Sequence, residues 1–130
     1  MQQKKIAELT ALLIDDEYFI RATMRQLLYQ MGMLDVQEAA DGASGLMQAK
    51  VGQPDIIFCD IHMPVLDGLT FVRELRQISQ APVVMLTSDQ AEKSVVMAKN
   101  LKVNGYLVKP VSFNAVQRAV ERIFKPAPTR

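Results

Sequence analysis

"LLIDDEYF" (residues 12–19) runs an apolar segment straight into three consecutive acids, Asp15, Asp16 and Glu17. The apolar part does not alternate polar with apolar residues. It therefore reads as a strand covered on both faces, the habit of central strands in parallel sheets. Past the acids, Ile20, Met24, Leu27 and Met31 stand at helical spacing, and Gly32 offers a C-terminal stop. Helix capping accounts for one or two of the acids, since Asp suits an N-cap and negative charge suits the positive end of a helix. The remaining acidity needs another reason.

The same strand–helix unit recurs along the chain. "DVQEAA" (35–40) is a weaker, more polar strand suited to an edge, followed by a short helix over 41–50 that Asp41 caps. "DIIFCD" (55–60) is a buried strand, and the helix over 69–77 places Phe71, Val72, Leu75 and Ile78 on one face. "PVVML" (82–86) is a strand that tolerates Pro82 at its start. A weakly amphipathic helix over 89–102 follows, through Ala91, Val95, Ala98 and Leu101. "GYLVKP" (105–110) is the fifth strand, and Phe113, Val116, Val120 and Ile123 pattern a helix over 112–124. Strands alternating with helices imply a parallel sheet with helices on both faces. The 130 residues suit one domain, with a core over about 9–124 and "KPAPTR" (125–130) as a tail or the start of a linker.

Composition narrows the function classes. Apolar residues make up 49% and charged residues 22%, the balance of a soluble globular chain, and the net charge of +1 offers nucleic acid or an anionic membrane no attraction. The single cysteine, Cys59, excludes a disulfide framework and suits a reducing cytoplasm. No apolar stretch reaches the roughly 20 residues that span a bilayer, and "MQQKKIAELT" lacks a signal-peptide apolar segment. The eight methionines sit mostly among apolar neighbours, as core fillers.

In open parallel sheets, ligands bind beyond the carboxyl ends of the strands. Strand one ends in Asp15 and Asp16, strand three in Asp60, strand four in Thr87 and Ser88, and strand five in Lys109 and Pro110. Three carboxylates at ~4 Å, in an effective dielectric near 20, cost roughly 4 kcal/mol per like pair. Such a cluster takes up protons or holds a cation. Oxygen ligands without paired His or Cys suit a hard ion, Mg²⁺ before Zn²⁺. A nearby lysine neutralises a phosphoryl oxygen, a threonine hydroxyl donates to another, and an aspartate can serve as nucleophile.

The acid pair Asp15-Asp16, Asp60 in "CDIHMPVLDG", Thr87 in "LTS" and "GYLVKP" with Tyr106, Lys109 and Pro110 stand in a telling order. With them the chain resembles response-regulator receiver domains, in particular single-domain chemotaxis receivers, from about residue 9 to residue 124. The resemblance implies a flavodoxin-like α/β fold, a five-stranded parallel sheet of order 2-1-3-4-5, of which a chemotaxis receiver is itself a type example. It makes Asp60 the phosphoacceptor. It places Asp15, Asp16, Asp60 and the His62 backbone carbonyl around Mg²⁺, with Asp16 the more direct of the acid pair. Lys109 would pair with the phosphoryl group, Thr87 would bond it and report to Tyr106, and the Lys109–Pro110 bond would be cis. Pro64 and Gly68 would shape the loop after Asp60. His62 and Asp89, each two residues beyond a site residue, would flank the pocket mouth and tune phosphoryl lifetime.

The expected role is regulatory rather than enzymatic. The chain would take a phosphoryl group from a sensor histidine kinase or histidine phosphotransfer protein. It would then switch a protein-binding face made of the fourth helix, fifth strand and fifth helix (89–102, 105–110 and 112–124), including Met97, Tyr106 and Val116. No direct nucleic-acid or membrane contact is expected, and the setting is cytoplasmic. The alternative is the receiver part of a longer response regulator, with an effector after residue 130. A haloacid-dehalogenase-type phosphatase is less suited, since His62 stands where its second Asp belongs and a cap insertion has no room. A flavin or nucleotide module wants a Gly-rich loop after strand one, and the acids there repel phosphate. A scaffold without phosphoacceptance would not need the intact acid, threonine and lysine set.

Overall fold

The computed structural model describes residues 4–88 and 102–124. A 3₁₀ turn, Ile6–Glu8, leads into β1 (Thr10–Ile14), α1 (Tyr18–Met31), β2 (Asp35–Ala39), α2 (Gly42–Gly52), β3 (Ile56–Asp60), α3 (Gly68–Leu75), β4 (Val83–Thr87) and β5 (Gly105–Val108). The C-terminal helix, Phe113–Phe124, closes the described chain. The strands pair in parallel, in the order β2-β1-β3-β4-β5, which is flavodoxin-like as the resemblance implies. The more polar β2 does take an edge. Residues 89–101 of the helix expected over 89–102, with Asp89 and Met97, and the segment 125–130 lie outside the described residues. No described helix is long and apolar enough to cross a membrane.

Alternation along the strands divides the interior into two cores. Leu13, Phe58, Leu86 and Leu107 face α1 and the C-terminal helix, where Met24, Leu28 and Val120 meet them. Leu12, Ile14, Ile57, Cys59 and Met85 face α2 and α3, where Ala49, Phe71 and Leu75 meet them. Central strands are thus apolar on both faces, which is why their sequences read as unbroken apolar runs. Local signals end the helices where chemistry demands. Gly32 stops α1 in the left-handed conformation at φ 102°, open to glycine without a Cβ penalty. The Asp41 carboxylate accepts from the Ser44 N–H at 2.8 Å, capping α2 as expected.

Three residues depart from the sequence-based expectations. Ile78 does not join the buried face of α3, because the helix ends at Leu75 and the next bonds are short ones, Gln77 N–H to the Glu74 carbonyl and Ile78 N–H to the Leu75 carbonyl. The Arg76 guanidinium then donates to the carbonyls of Ser79, Ala81 and Lys102, drawing the chain off the helical path. Ile78 is left 51% exposed. Val116 is wholly buried in the core on the α1 side, so it offers a partner no surface and does not belong to a contact face. Helical spacing pointed to Leu27, yet Leu28 is the fully buried residue there.

Gly68 opens α3 directly beneath the end of β3. Its N–H donates to the Ile61 carbonyl at 2.8 Å. A Cβ at this position would stand 2.2 Å from the Asp60 carbonyl oxygen and 2.8 Å from the Ile61 Cα, backbone that cannot swing aside. Only glycine permits this approach. Gly68→Ala should therefore cost on the order of 3 kcal/mol in urea unfolding. A loss within ~0.5 kcal/mol, the usual range of harmless surface changes, would show that the contact is not tight.

Candidate functional site

The parallel register gathers the expected residues at one edge of the sheet. The Asp15 N–H makes the last β1 contact, to the Ala39 carbonyl at 3.2 Å, and its side chain turns inward at 1% exposure. Asp60 ends β3 at 6% exposure, while Asp16 is exposed. Carboxylate oxygens of Asp15, Asp16 and Asp60 all lie within 4.8 Å of one another. The Lys109 N–H donates to the Thr87 carbonyl at 2.7 Å, which carries β5 one step past its end. The Lys109 Nζ then reaches Asp15 Oδ2 at 3.1 Å and Asp60 Oδ1 at 3.3 Å, with Glu17 Oε1 further out at 3.8 Å. The Lys109–Pro110 bond is cis.

Capping does not account for the acids. The N-cap of α1 is Glu17, whose side chain makes no cap bond. Asp15 Oδ1 accepts from the Glu17 N–H at 2.9 Å, but its other oxygen faces the lysine. At 4.8 Å and an effective dielectric near 20, each like pair costs about 3.5 kcal/mol, and each lysine contact near 3.2 Å returns about 5 kcal/mol. One ammonium roughly balances the mutual repulsion and leaves the burial of Asp60 uncompensated. Burial, then the neighbouring Asp15, hold the Asp60 carboxyl above its ordinary range, against the pull of Lys109 and of the His62 backbone N–H. Burial works to lower the Lys109 pKa, but bonds to Asp15 and Asp60 outweigh it and keep the ammonium above its ordinary range. Three carboxylates against one ammonium leave two negative charges in a pocket of oxygen donors. That donor set fits a hard divalent cation such as Mg²⁺.

The loop after Asp60 follows the "MPVLDG" pattern, with one addition. Asp67 caps α3, accepting from the Thr70 N–H at 2.8 Å. Val65 sits at φ 70°, and the Leu66 N–H closes a three-residue turn onto the Pro64 carbonyl at 2.8 Å. A β-branched residue rarely adopts this region. No pattern in the sequence announces it. His62 stands on the exposed rim of the same loop.

Thr87, 1% exposed, ends β4 beside Asp60, whose strand partner is Leu86. Its alternation follows Val83 and Met85, toward the core under α2 and α3, and Tyr106 packs against that same core. Asp15, Asp60 and Lys109 instead continue the rows of Leu13, Phe58 and Leu107, toward the other face. The residues brought together are therefore Asp15, Asp16, Asp60 and Lys109, with Thr87 adjoining across the strand end. Three unforeseen residues support the edge. Arg21 and Arg25 both bond Glu38 on β2, through Arg21 Nε at 2.8 Å and Arg25 Nε at 2.6 Å. Two arginines four apart on one helix face were the available signal.

A parallel α/β sheet with acids and a lysine at its carboxyl edge fits the receiver that the sequence resembles. The response regulator receiver domain family matches residues 11–121, and the chain belongs to that family. Its relatives include the chemotaxis protein CheY-3 of Vibrio cholerae, 30% identical over 117 residues that make up 88% of this chain and 90% of that one. The chemotaxis protein CheY of Pseudomonas aeruginosa is likewise 30% identical, over 88% of this chain and 94% of its own. Among solved structures, Vibrio cholerae chemotaxis protein CheY4 superposes with a TM-score of 0.79 at 30% identity, over 88% of this chain and 98% of that one. A putative response regulator of Chloroflexus aurantiacus gives 0.81 at 28% identity, over 91% and 98%.

The raised Asp60 pKa has a signed consequence. A protonated Asp60 stabilises the fold fully below the ordinary value of 3.8, and that contribution is lost as pH rises through the higher folded value. Ionised Asp60 therefore weakens the metal-free protein at neutral pH. Asp60→Asn should raise the Tm by about 3 °C at neutral pH in chelator. The gain should shrink as the pH falls toward 3.8. A gain that stays constant across this window would contradict the assigned direction.

Proposed function

We propose that this receiver accepts a phosphoryl group on Asp60 from a phosphohistidine, carried by a sensor histidine kinase or a histidine phosphotransfer protein. The observation that carries the reading is the buried Asp60 carboxylate, 3.3 Å from the Lys109 ammonium and within a cluster of three acids. An Asp60 oxygen forms a bond to phosphorus as the phosphorus–nitrogen bond breaks, and the imidazole nitrogen keeps the electron pair. Mg²⁺, held by Asp15, Asp16, Asp60 and the His62 carbonyl, would neutralise charge on the carboxylate and the incoming phosphoryl oxygens. Lys109, shared between Asp15 and Asp60 beforehand, pairs with a phosphoryl oxygen afterwards in a charge-assisted bond.

Thr87 donates its hydroxyl to the phosphoryl group, and Tyr106 turns into the space this vacates. The alternation that sends both toward the core under α2 and α3 supports this pairing. Two arrangements of the same packed residues give a two-state element whose balance the new charge shifts. The signal leaves by protein contact through the helix over 89–102, β5 and the C-terminal helix, by way of Tyr106 and outward residues rather than buried Val116. His62 and Asp89 tune phosphoryl lifetime by blocking or orienting the attacking water. The chain acts as a regulatory domain in the cytoplasm, where such donors act, and catalyses only its own phosphorylation and dephosphorylation.

Intact-mass measurement after acetyl phosphate and Mg²⁺ tests the acceptor. Wild type should gain one acid-labile phosphoryl group and Asp60→Asn none, while Lys109→Ala should slow uptake by about tenfold or more, an effect on the order of 1.4 kcal/mol. Full stoichiometry in Asp60→Asn would displace the acceptor from Asp60.

The relay is tested separately, by amide spectra with and without beryllofluoride as phosphoryl mimic. Thr87→Ala should still take up phosphate yet lose most of the shift changes around Tyr106. The same changes in mutant and wild type would remove Thr87 from the relay.

A further inference from the structure

We infer that Arg21 is a positioning residue for the acid pair, clamping the peptide between Asp15 and Asp16 against an anchor on β2. The inference rests on the metal-binding part of the proposed function. The Asp15 N–H ends the β1 ladder, and the Asp15 carbonyl accepts instead from Arg21 Nη1 at 2.7 Å. That carbonyl belongs to the planar unit joining Asp15 to Asp16. Rotation of this one plane changes ψ of Asp15 and φ of Asp16 together, and so redirects both carboxylates. A group that pins the plane thus sets the spacing of two of the three acids.

Arg21 is itself held in place. Its Nε donates to Glu38 Oε1 at 2.8 Å, and the Tyr18 ring lies 5.8 Å from the guanidinium carbon. The Arg21 side chain is 14% exposed, so it is not a freely solvated surface charge. Glu38 sits within β2 opposite Leu13 of β1, on backbone fixed by the sheet. Its second oxygen is taken by Arg25 Nε at 2.6 Å. Burial acts to raise the Glu38 pKa, but bonds from Arg21 and Arg25 outweigh it and keep the carboxylate charged. The rigid planar guanidinium spans carbonyl and carboxylate at once, which a lysine ammonium on its flexible stem does not reproduce.

Arg25 supplies the internal control. It shares Glu38 and holds the Val36 carbonyl at 2.8 Å and the Tyr29 hydroxyl at 2.7 Å, with no bond to the acid pair. Removing either arginine takes one ion pair from the α1–β2 contact, so both variants should lose stability. Only loss of Arg21 should disturb the acids.

The experiment is a Mg²⁺ titration of the full chain by calorimetry, with Tm measured alongside in chelator. Arg21→Ala should weaken Mg²⁺ binding about tenfold or more, as loss of supporting partners does at metal sites. Arg25→Ala should stay within about twofold despite a comparable drop in Tm, since it leaves the acid pair's own partners in place. Arg21→Lys, which keeps the charge and folds more readily, should recover only part of the affinity. Acetyl phosphate labelling of Arg21→Ala should be slow at low Mg²⁺ and approach the wild-type rate when Mg²⁺ saturates. Equal Mg²⁺ affinity in Arg21→Ala, Arg21→Lys and Arg25→Ala would overturn the inference and leave Arg21 as a staple between α1 and β2. Failure of wild type itself to bind Mg²⁺ would instead remove the functional reading, and the inference with it.

Discussion

The repulsion between buried Asp15 and Asp60 is the constraint around which the rest of this molecule is arranged. Both carboxylates sit below 10% exposure, and Lys109 between them is the cation that makes this tolerable. Holding them there requires β1, β3 and β5 to end level, which the parallel register provides, and requires α3 to start almost in contact with the end of β3, which Gly68 alone permits. A packed core on each side of the sheet holds an edge whose like charges repel.

The sheet also separates two tasks. Acids and lysine continue the rows that face α1 and the C-terminal helix, whereas Thr87 and Tyr106 belong to the rows over α2 and α3. Charge is therefore assembled against one core, and the proposed readout residues belong to the other. A close-packed core repacks between discrete arrangements rather than deforming smoothly. In the proposed relay, a small displacement of the Thr87 hydroxyl at the strand end would be carried in this way to the Tyr106 ring, on the neighbouring strand.

Strands were legible in the sequence because burial on both faces leaves no polar position to interrupt them. The acid edge was legible because chain ends of parallel strands coincide in space wherever the helices return between them. Side-chain geometry at the helix margins was not. Ile78 continues the helical spacing of Phe71 and Leu75, but Arg76 finds its carbonyl partners beyond the helix, and local periodicity carries no record of them. Val116 reads as one apolar position among several, and its full burial depends on where α1 lies against the C-terminal helix. The Arg21–Glu38 bond joins residues 17 apart on different elements, so only the assembled α1–β2 contact reveals it. Asp15, Asp60 and Lys109 came through because each carries a charge where an apolar run ends.

Val65 illustrates a different kind of design pressure. Its side chain meets only solvent, so neither core depends on its shape, yet its backbone is held in a positive-φ well in the loop that follows β3. A β-branched residue resists that well more than asparagine or glycine would, by about 1–2 kcal/mol. The position therefore works as a spring constant rather than a contact. Exchanges there change the backbone strain of the loop that carries His62, while removing no contact from the acids, the lysine or either core. Drift at one exposed residue can in this way shift the strain of the loop without rewriting the site.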